Sequence, residues 1–258
     1  MRCVEKSEPD WQHLIDRAPK SKIQGELWRI VESQSQIATL SLVDSLEEQT
    51  ILEELLESNK PSKPAATERL HYLLATPFRY PPLKWGSRFG EKIEPGIFYG
   101  SLDVETVLVE AAYYRFLFWS GMQQPYPGGS LVTQHEIFSA RYCCHPGLKL
   151  QVKPFSSYRS VLAHPAKYAG AKKLGKLLRA DNIIGFEFFS ARAVFNNDKQ
   201  GINVALLYPS ALVDRRPNNN QRWVCETTDS VVRFRGESQL TEFPRSQFEI
   251  DGGLPQPA

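Results

Sequence analysis

A glutamate in the middle of an otherwise apolar helix pattern constrains this chain more than any other feature. The stretch from Arg79 to Glu110, RYPPLKWGSRFGEKIEPGIFYGSLDVETVLVE, spaces Arg88, Tyr99 and Glu110 at intervals of eleven residues. Gly96 to Gly100 (GIFYG) has the large apolar and aromatic residues of a short strand between glycines, and Ser101, Asp103 and Glu105 suit the first turn of a helix. The pattern predicts a strand ending at Tyr99 that feeds a helix beginning near Leu102. On that helix Val104, Val107, Leu108, Ala111, Ala112 and Leu117 form a wide apolar face, and Glu110 sits between Val109 and Ala111. Desolvating a carboxylate among such neighbours is costly unless it is paired or has work to do. The same spacing also fits a narrow solvated stripe shared with Asp103 and Thr106, and both readings stay open at this point.

The 258 residues, 41% of them hydrophobic, suffice for one good core and an appendage. With 31 basic and 29 acidic side chains the net charge is +2, which names no polyanionic partner. There is no apolar run of eighteen residues, and the N-terminus (MRCVEKSEPDW) is polar, so the expectation is a soluble, cytoplasmic protein without a membrane span. Four cysteines (Cys3, Cys143, Cys144, Cys225) are too few and too badly spaced for a disulfide framework. Cys143-Cys144-His145 has no second ligand pair, so reduced thiols are expected there and no metal. The chain also lacks GxGxxG after a strand, GxxxxGK[ST], HExxH and GxSxG, which argues against Rossmann, P-loop, zincin and hydrolase chemistry.

Residues 1–66 read as an N-terminal helical extension and residues 67–258 as the main domain. From Ile37 to Leu56 the residues Leu42, Val43, Leu46, Leu52, Leu55 and Leu56 recur at helical spacing, with a capping box at Ser45 to Glu48. That face suits packing on the main domain, a homodimer or a partner. Ser58 to Thr67 (SNKPSKPAAT) reads as a linker. In the main domain the helix of Glu110 runs to about Ser120, its aromatics reading as core, and GMQQPYPGGS follows as a loop. Strands are expected at Leu131 to Cys143, Leu148 to Val152, Ile183 to Phe189, Ile202 to Tyr208 and, more weakly, Val231 to Phe234. A basic amphipathic helix from about Pro165 to Leu178 puts Lys167, Lys172, Lys173 and Lys176 outside, as a solvated face or a phosphate site. Few of the strands are separated by crossover helices, so the class is α+β.

Arg79-Tyr80, then Gly86-Ser87-Arg88-Phe89, Phe98-Tyr99, Glu110, and Phe189-Ser190 followed by Asn203 in a strand resemble, in this order, the RES domain, named for its arginine, glutamate and serine. The resemblance spans roughly Arg79 to Pro209. It implies an ADP-ribosyltransferase-like fold that takes NAD as substrate, and a toxin held off by an Xre-type antitoxin. The family usually has Gly-Arg-Trp-Asn where this chain has Ser87-Arg88-Phe89-Gly90, and Arg79 lies nearer Arg88 than the first family arginine usually does. Leu27-Trp28-Arg29 resembles the opening of short members but lies across the proline linker, and on sequence grounds it is set aside.

The residue types suit that chemistry. Breaking the nicotinamide–ribose bond passes through an oxocarbenium-like sugar, and a carboxylate near the ribose stabilises charge that develops only in the transition state, the role expected of Glu110. Arginines hold a pyrophosphate bidentately and aromatic rings stack on flat bases, roles expected of Arg79 and Arg88 and of Tyr80 and Tyr99. Ser190 is expected on a ribose hydroxyl or a phosphate oxygen. Each has a plainer alternative: surface ion pairs for the arginines, core packing for the tyrosines, a turn for Ser190. Hydrolysis or phosphorolysis of NAD, ADP-ribosylation of a macromolecule, and nucleic-acid binding by the lysine helix remain as readings, the last opposed by the low net charge.

Overall fold

The computed structural model describes residues 9–33, 42–81, 86–123, 126–195 and 200–256. In chain order they form α1 (Trp11–Arg17), β1 (Ser21–Glu32), α2 (Leu46–Ser58), α3 (Tyr72–Arg79), β2 (Phe98–Ser101), α4 (Val104–Ser120), β3 (Leu131–Lys149), α5 (Arg159–Leu162), α6 (Ala169–Ala180), β4 (Gly185–Val194), β5 (Gln200–Leu206), β6 (Asn218–Thr227), β7 (Val231–Arg235) and β8 (Leu240–Pro244). The α+β class is therefore the one the sequence pattern predicts. None of the described helices is long and apolar enough to cross a membrane.

The long strand β3 organises the sheet. It runs antiparallel to β1 and to β6, and its C-terminal end lies parallel to β4. The pairing path β1–β2–β5–β4–β3 returns to β1, so these strands close on themselves, while β6, β7 and β8 continue as an antiparallel arm. Closure leaves these strands without the open edge that a flat sheet would present. Two strands were expected where β3 is continuous. Pro146, which has no N–H to give, falls at the irregularity in the β1 register between Cys144 and Gly147, where the ladder tolerates it.

The largest departure from the expected organisation is at the N-terminus. Ser21–Glu32 is a strand, paired with β3 from Ser21 opposite Gly147 to Glu32 opposite His135, so residues 1–66 are not a purely helical extension. Its sequence, SKIQGELWRIVE, has no regular apolar–polar alternation and buries only Ile23 and Leu27 fully, so the strand pattern was too weak to reveal it. Helix α2 does have the expected cap: the Glu48 N–H donates to Ser45 Oγ at 3.1 Å and the Asp44 N–H to Glu48 Oε2 at 2.9 Å. Leu46, Ile51, Leu55 and Leu56 of α2 are exposed. The Ile37 start expected for that helical run lies outside the described residues.

Three packed clusters surround the sheet. Leu74 and Phe78 of α3 pack with Leu27, Phe98, Phe138 and Val204. Trp11 and Ile15 of α1 join Leu174 and Leu178 of α6 against Phe186 and Phe188. Helix α4 applies Leu108, Ala112 and Phe116 to Trp223, Phe234 and Phe243 of the arm. Its N-terminus is fixed by Asp103, whose carboxylate accepts from the Thr106 N–H at 2.7 Å and from its hydroxyl at 3.0 Å.

Helix α6 sits directly on the segment that carries Arg88. A Cβ on Gly175 would lie 1.9 Å from the Phe89 carbonyl oxygen, so only glycine permits this approach. The Phe89 ring is buried edge-on between Phe186 and Phe188, each 4.8 Å away. Gly175→Ala is expected to cost about 1–3 kcal/mol, as overpacking of a well-filled core does. A thermal melt should show a fall in Tm of roughly 2–4 °C per kcal/mol for a chain of this size; an unchanged Tm would mean that α6 and the Phe89 backbone are not in contact.

Candidate active site

Helix α4 presents Glu110 to the ends of β4 and β5. Its Oε1 accepts from the Ser190 hydroxyl at 2.6 Å and from Asn203 Nδ2 at 2.8 Å. Oε2 has no partner among the described residues. Glu110 is half-buried. One oxygen is thus anchored by buried side chains of the sheet, which decides against a solvated stripe.

The donors are themselves held. Asn203 accepts at Oδ1 from the buried Ser101 hydroxyl at 2.7 Å, and Ser101 is its register partner on β2. Ser190 is fully buried, and beyond donating to Glu110 its oxygen accepts from the N–H groups of Arg192 and Ala193 at 3.1 and 2.9 Å. These bonds fall where the β4–β5 register shifts, so the hydroxyl satisfies amides that the ladder gives up. The Ser190 hydroxyl thus donates to Glu110 and accepts from its own backbone.

Arg88 and Tyr99 also meet near this cluster, in roles set by their partners. Arg88 Nη1 donates to the carbonyls of Leu162 and His164 at 3.2 and 2.9 Å, and its guanidinium lies 4.3 Å from the centre of the buried Tyr168 ring. Its Nε and Nη2 have no partner among the described residues. The Tyr99 hydroxyl shares a hydrogen with Ser87 Oγ at 3.0 Å and accepts from the Phe89 N–H at 3.2 Å, which fixes the Arg88 segment from both sides. Burial pushes that hydroxyl up to about 12, so it stays protonated. Tyr99 therefore shapes the Arg88 loop and packs edge-on to Phe188 at 6.3 Å.

Arg79 and Tyr80 are not brought to the cluster. Arg79 pairs with Glu57 at 2.8 Å and donates to the Pro61 carbonyl at 2.6 Å, tying the end of α3 to α2. Tyr80 is exposed beside it, 5.8 Å from the guanidinium to the ring centre. Three residues not singled out from the sequence lie near Glu110 or the Arg88 turn instead. Arg192 donates to the Pro165 carbonyl and lies 3.5 Å from the centre of the Tyr113 ring. Tyr113 and Tyr114 stand one turn beyond Glu110 on the same face of α4. Desolvation is the main cause that pushes both hydroxyls up, Tyr113 to about 12, although the Tyr114 ring is 54% exposed. Both hydroxyls also feel Glu110, which raises them, and Arg88 and Arg192, which lower them, so the carboxylate, the two cations and the two tyrosines share one locale. The signals were legible: Arg192 is two residues from Ser190 on a strand, and Tyr113 and Tyr114 follow Glu110 by three and four on a helix.

The RES domain model matches residues 64–226, well over half of the chain. The chain belongs to the RES-domain family. Among solved structures, the M. tuberculosis MbcT–MbcA toxin-antitoxin complex is similar, with a TM-score of 0.44 and 8% identity over 81% of this chain and 89% of that one. Among curated proteins none matches.

Strand β1 lies before the matched RES residues, yet it reaches the same region. Arg29 Nη1 donates to the Tyr99 carbonyl at 2.7 Å, its guanidinium stands 5.1 Å from the centre of the Phe98 ring, and burial lowers it to about 10. Its Nε is buried without a partner among the described residues. The proline linker does not keep Leu27-Trp28-Arg29 away from this region, since strand pairing places Trp28 opposite Ser101. A separate cleft of about 440 Å³, lined by Glu68, Arg69, Leu70, His71, Arg215 and Arg216, shares no residue with the Glu110 cluster.

Removing the Ser190 hydroxyl should leave two buried amides and the Glu110 oxygen short of a partner. Ser190→Ala is expected to lose about 1–3 kcal/mol in urea denaturation. Wild-type stability in that variant would show that the buried bonds are not formed in solution.

Proposed function

We propose that this RES-domain protein is the toxin of a toxin–antitoxin pair, and that it consumes NAD in the cytoplasm by breaking the bond between nicotinamide and ribose. The observation that carries the reading is the half-anchored carboxylate of Glu110. It is held at Oε1 by Ser190 and Asn203 while Oε2 has no partner among the described residues, with Tyr113 and Tyr114 one turn further along α4 and Arg192 on the Tyr113 ring.

As the C1′–N bond breaks, its electron pair goes to the pyridinium nitrogen and nicotinamide leaves neutral. The sugar left behind carries oxocarbenium charge, which Oε2 of Glu110 stabilises without having to reorganise. A water or phosphate oxygen then bonds to C1′, and a water acceptor loses its proton to solvent. The free guanidinium N–H groups of Arg88 suit the pyrophosphate, joined by Arg192. The Tyr114 ring, half exposed next to Glu110, offers a face for the nicotinamide. The chemistry uses no metal.

Glu110→Gln keeps shape and size while removing the charge, so it should bind NAD nearly normally and turn it over about a hundredfold or more slowly. Arg88→Ala, with circular dichroism unchanged, should both raise KM and slow the reaction, because pyrophosphate contacts act in ground and transition states alike. Incubating purified protein with NAD, with and without inorganic phosphate, distinguishes ADP-ribose from ADP-ribose-1-phosphate as product. No nicotinamide release under either condition would overturn the reading.

An Xre-type antitoxin is the partner this reading requires, since an unchecked NAD-consuming enzyme would deplete its own cell. A segment bearing a carboxylate would complement Arg88 and Arg192 where the pyrophosphate sits. The exposed leucines of α2 offer a second contact, for that partner or for a second copy of the chain. Expression of the chain alone should arrest growth as NAD falls, and Glu110→Gln or co-expression of the neighbouring gene's product should relieve it. Harmless accumulation with constant NAD would refute the toxin reading.

A further inference from the structure

One short turn holds both arginines of the site. The carbonyls of Leu162 and His164 accept from Arg88, and that of Pro165 accepts from Arg192. The turn itself depends on a side chain. Pro165 has no N–H, and the N–H groups of Ala166 and Lys167 both donate to His164 Nδ1 at 3.0 Å. Among the described residues neither amide has another acceptor.

We propose that His164 is a positioning residue, whose neutral imidazole locks the turn that presents Arg88 and Arg192 to the anionic part of the substrate. The substrate clause rests on the function proposed above; the lock rests on geometry alone. An imidazole that accepts twice at Nδ1 carries its hydrogen on Nε2. Protonation at Nδ1 removes the acceptor, and both amides then face a donor. The carbonyls that hold the arginines are in the same turn, so releasing it frees the guanidinium groups to swing.

Among the described residues the charged groups that act on His164 are cations: Lys167 on its own loop, Arg88 before β2, and Arg192 on β4. Together with desolvation, the largest cause, they hold its pKa below the ordinary histidine value. The sign follows. The lock is intact at and above an ordinary histidine pKa of about 6.5 and is lost as pH falls through the depressed folded value.

Two measurements on the full chain test this. The first needs no ligand: the protection factors of the Ala166 and Lys167 amides by NMR hydrogen exchange, and the Nη signals of Arg88 and Arg192. At pH 7 the wild type should protect both amides about tenfold or more over His164→Ala and show distinct Nη signals, which fade toward pH 5. His164→Asn, whose Oδ1 accepts without titrating, should restore protection at both pH values. The second measures NAD turnover. His164→Ala should raise KM about tenfold, His164→Asn should rescue most of that rise, and KM should climb below pH 6 in the wild type but not in His164→Asn. Unprotected amides in the wild type at pH 7, or an unchanged KM in His164→Ala, would overturn the proposal. If the lock is seen but NAD is untouched, the functional reading fails and the positioning of the arginines stands.

Discussion

A carboxylate placed on the buried side of a helix must find hydrogen-bond donors, and most of this site is arranged to supply them. Glu110 obtains two donors at one oxygen, from Ser190 on β4 and Asn203 on β5. Those strands are neighbours, so the register between them sets the distance between the two donors. The register shift after Phe189 frees the amides of Arg192 and Ala193, and the Ser190 oxygen takes both. At the other end of α4, Asp103 fixes where the helix begins and so which turn reaches the sheet. Gly201 lets the helix start come close: a Cβ there would lie 2.2 Å from Thr106 Oγ1. A helix held this near the sheet can bring one carboxylate to both donors.

The two cations of the site are governed by a different economy of bonds. A guanidinium has five N–H donors in a planar fork, and here one or two are given to backbone carbonyls while others have no partner among the described residues. The Arg88 guanidinium stacks on Tyr168 and that of Arg192 on Tyr113, so each is held by one aromatic face and by carbonyls of the 162–165 turn. Carbonyl and ring contacts orient a cation without neutralising it. Arg79 shows the opposite case: Glu57 meets its charge, and its work is to join α2 to α3. The difference between a candidate binding arginine and a structural one is thus the chemistry of its partner.

Closure of the sheet also decides which parts of the chain belong together. Because β1 pairs with both β3 and β2, a segment some seventy residues before Tyr99 bonds to its carbonyl through Arg29. The proline-rich stretch after α2 separates residues in sequence and does not separate them in space. Leu46, Leu55 and Leu56 of α2, by contrast, are exposed while the Ser45 cap is formed, so local helix chemistry there did not depend on burying them.

How much of this was legible from the residues depends on the range of the interaction. The strand–turn–helix around Glu110, the Asp103 and Ser45 caps, the amphipathic α6 and the α+β class are set by neighbours within a few positions, and the spacing of residue types determined them. The resemblance that brought Ser190 and Asn203 together with Glu110 also rests on residue order. Tertiary structure alone decided that Ser21–Glu32 is a strand, that Arg29 bonds to the Tyr99 carbonyl and Arg192 to the Pro165 carbonyl while Arg79 pairs with Glu57, and that Tyr99 and Ser190 hold other groups in place. The physical reason is that these outcomes rest on backbone carbonyls and amides, which every residue carries. A carbonyl that accepts from an arginine seventy residues away leaves no mark in the sequence until the strands have paired.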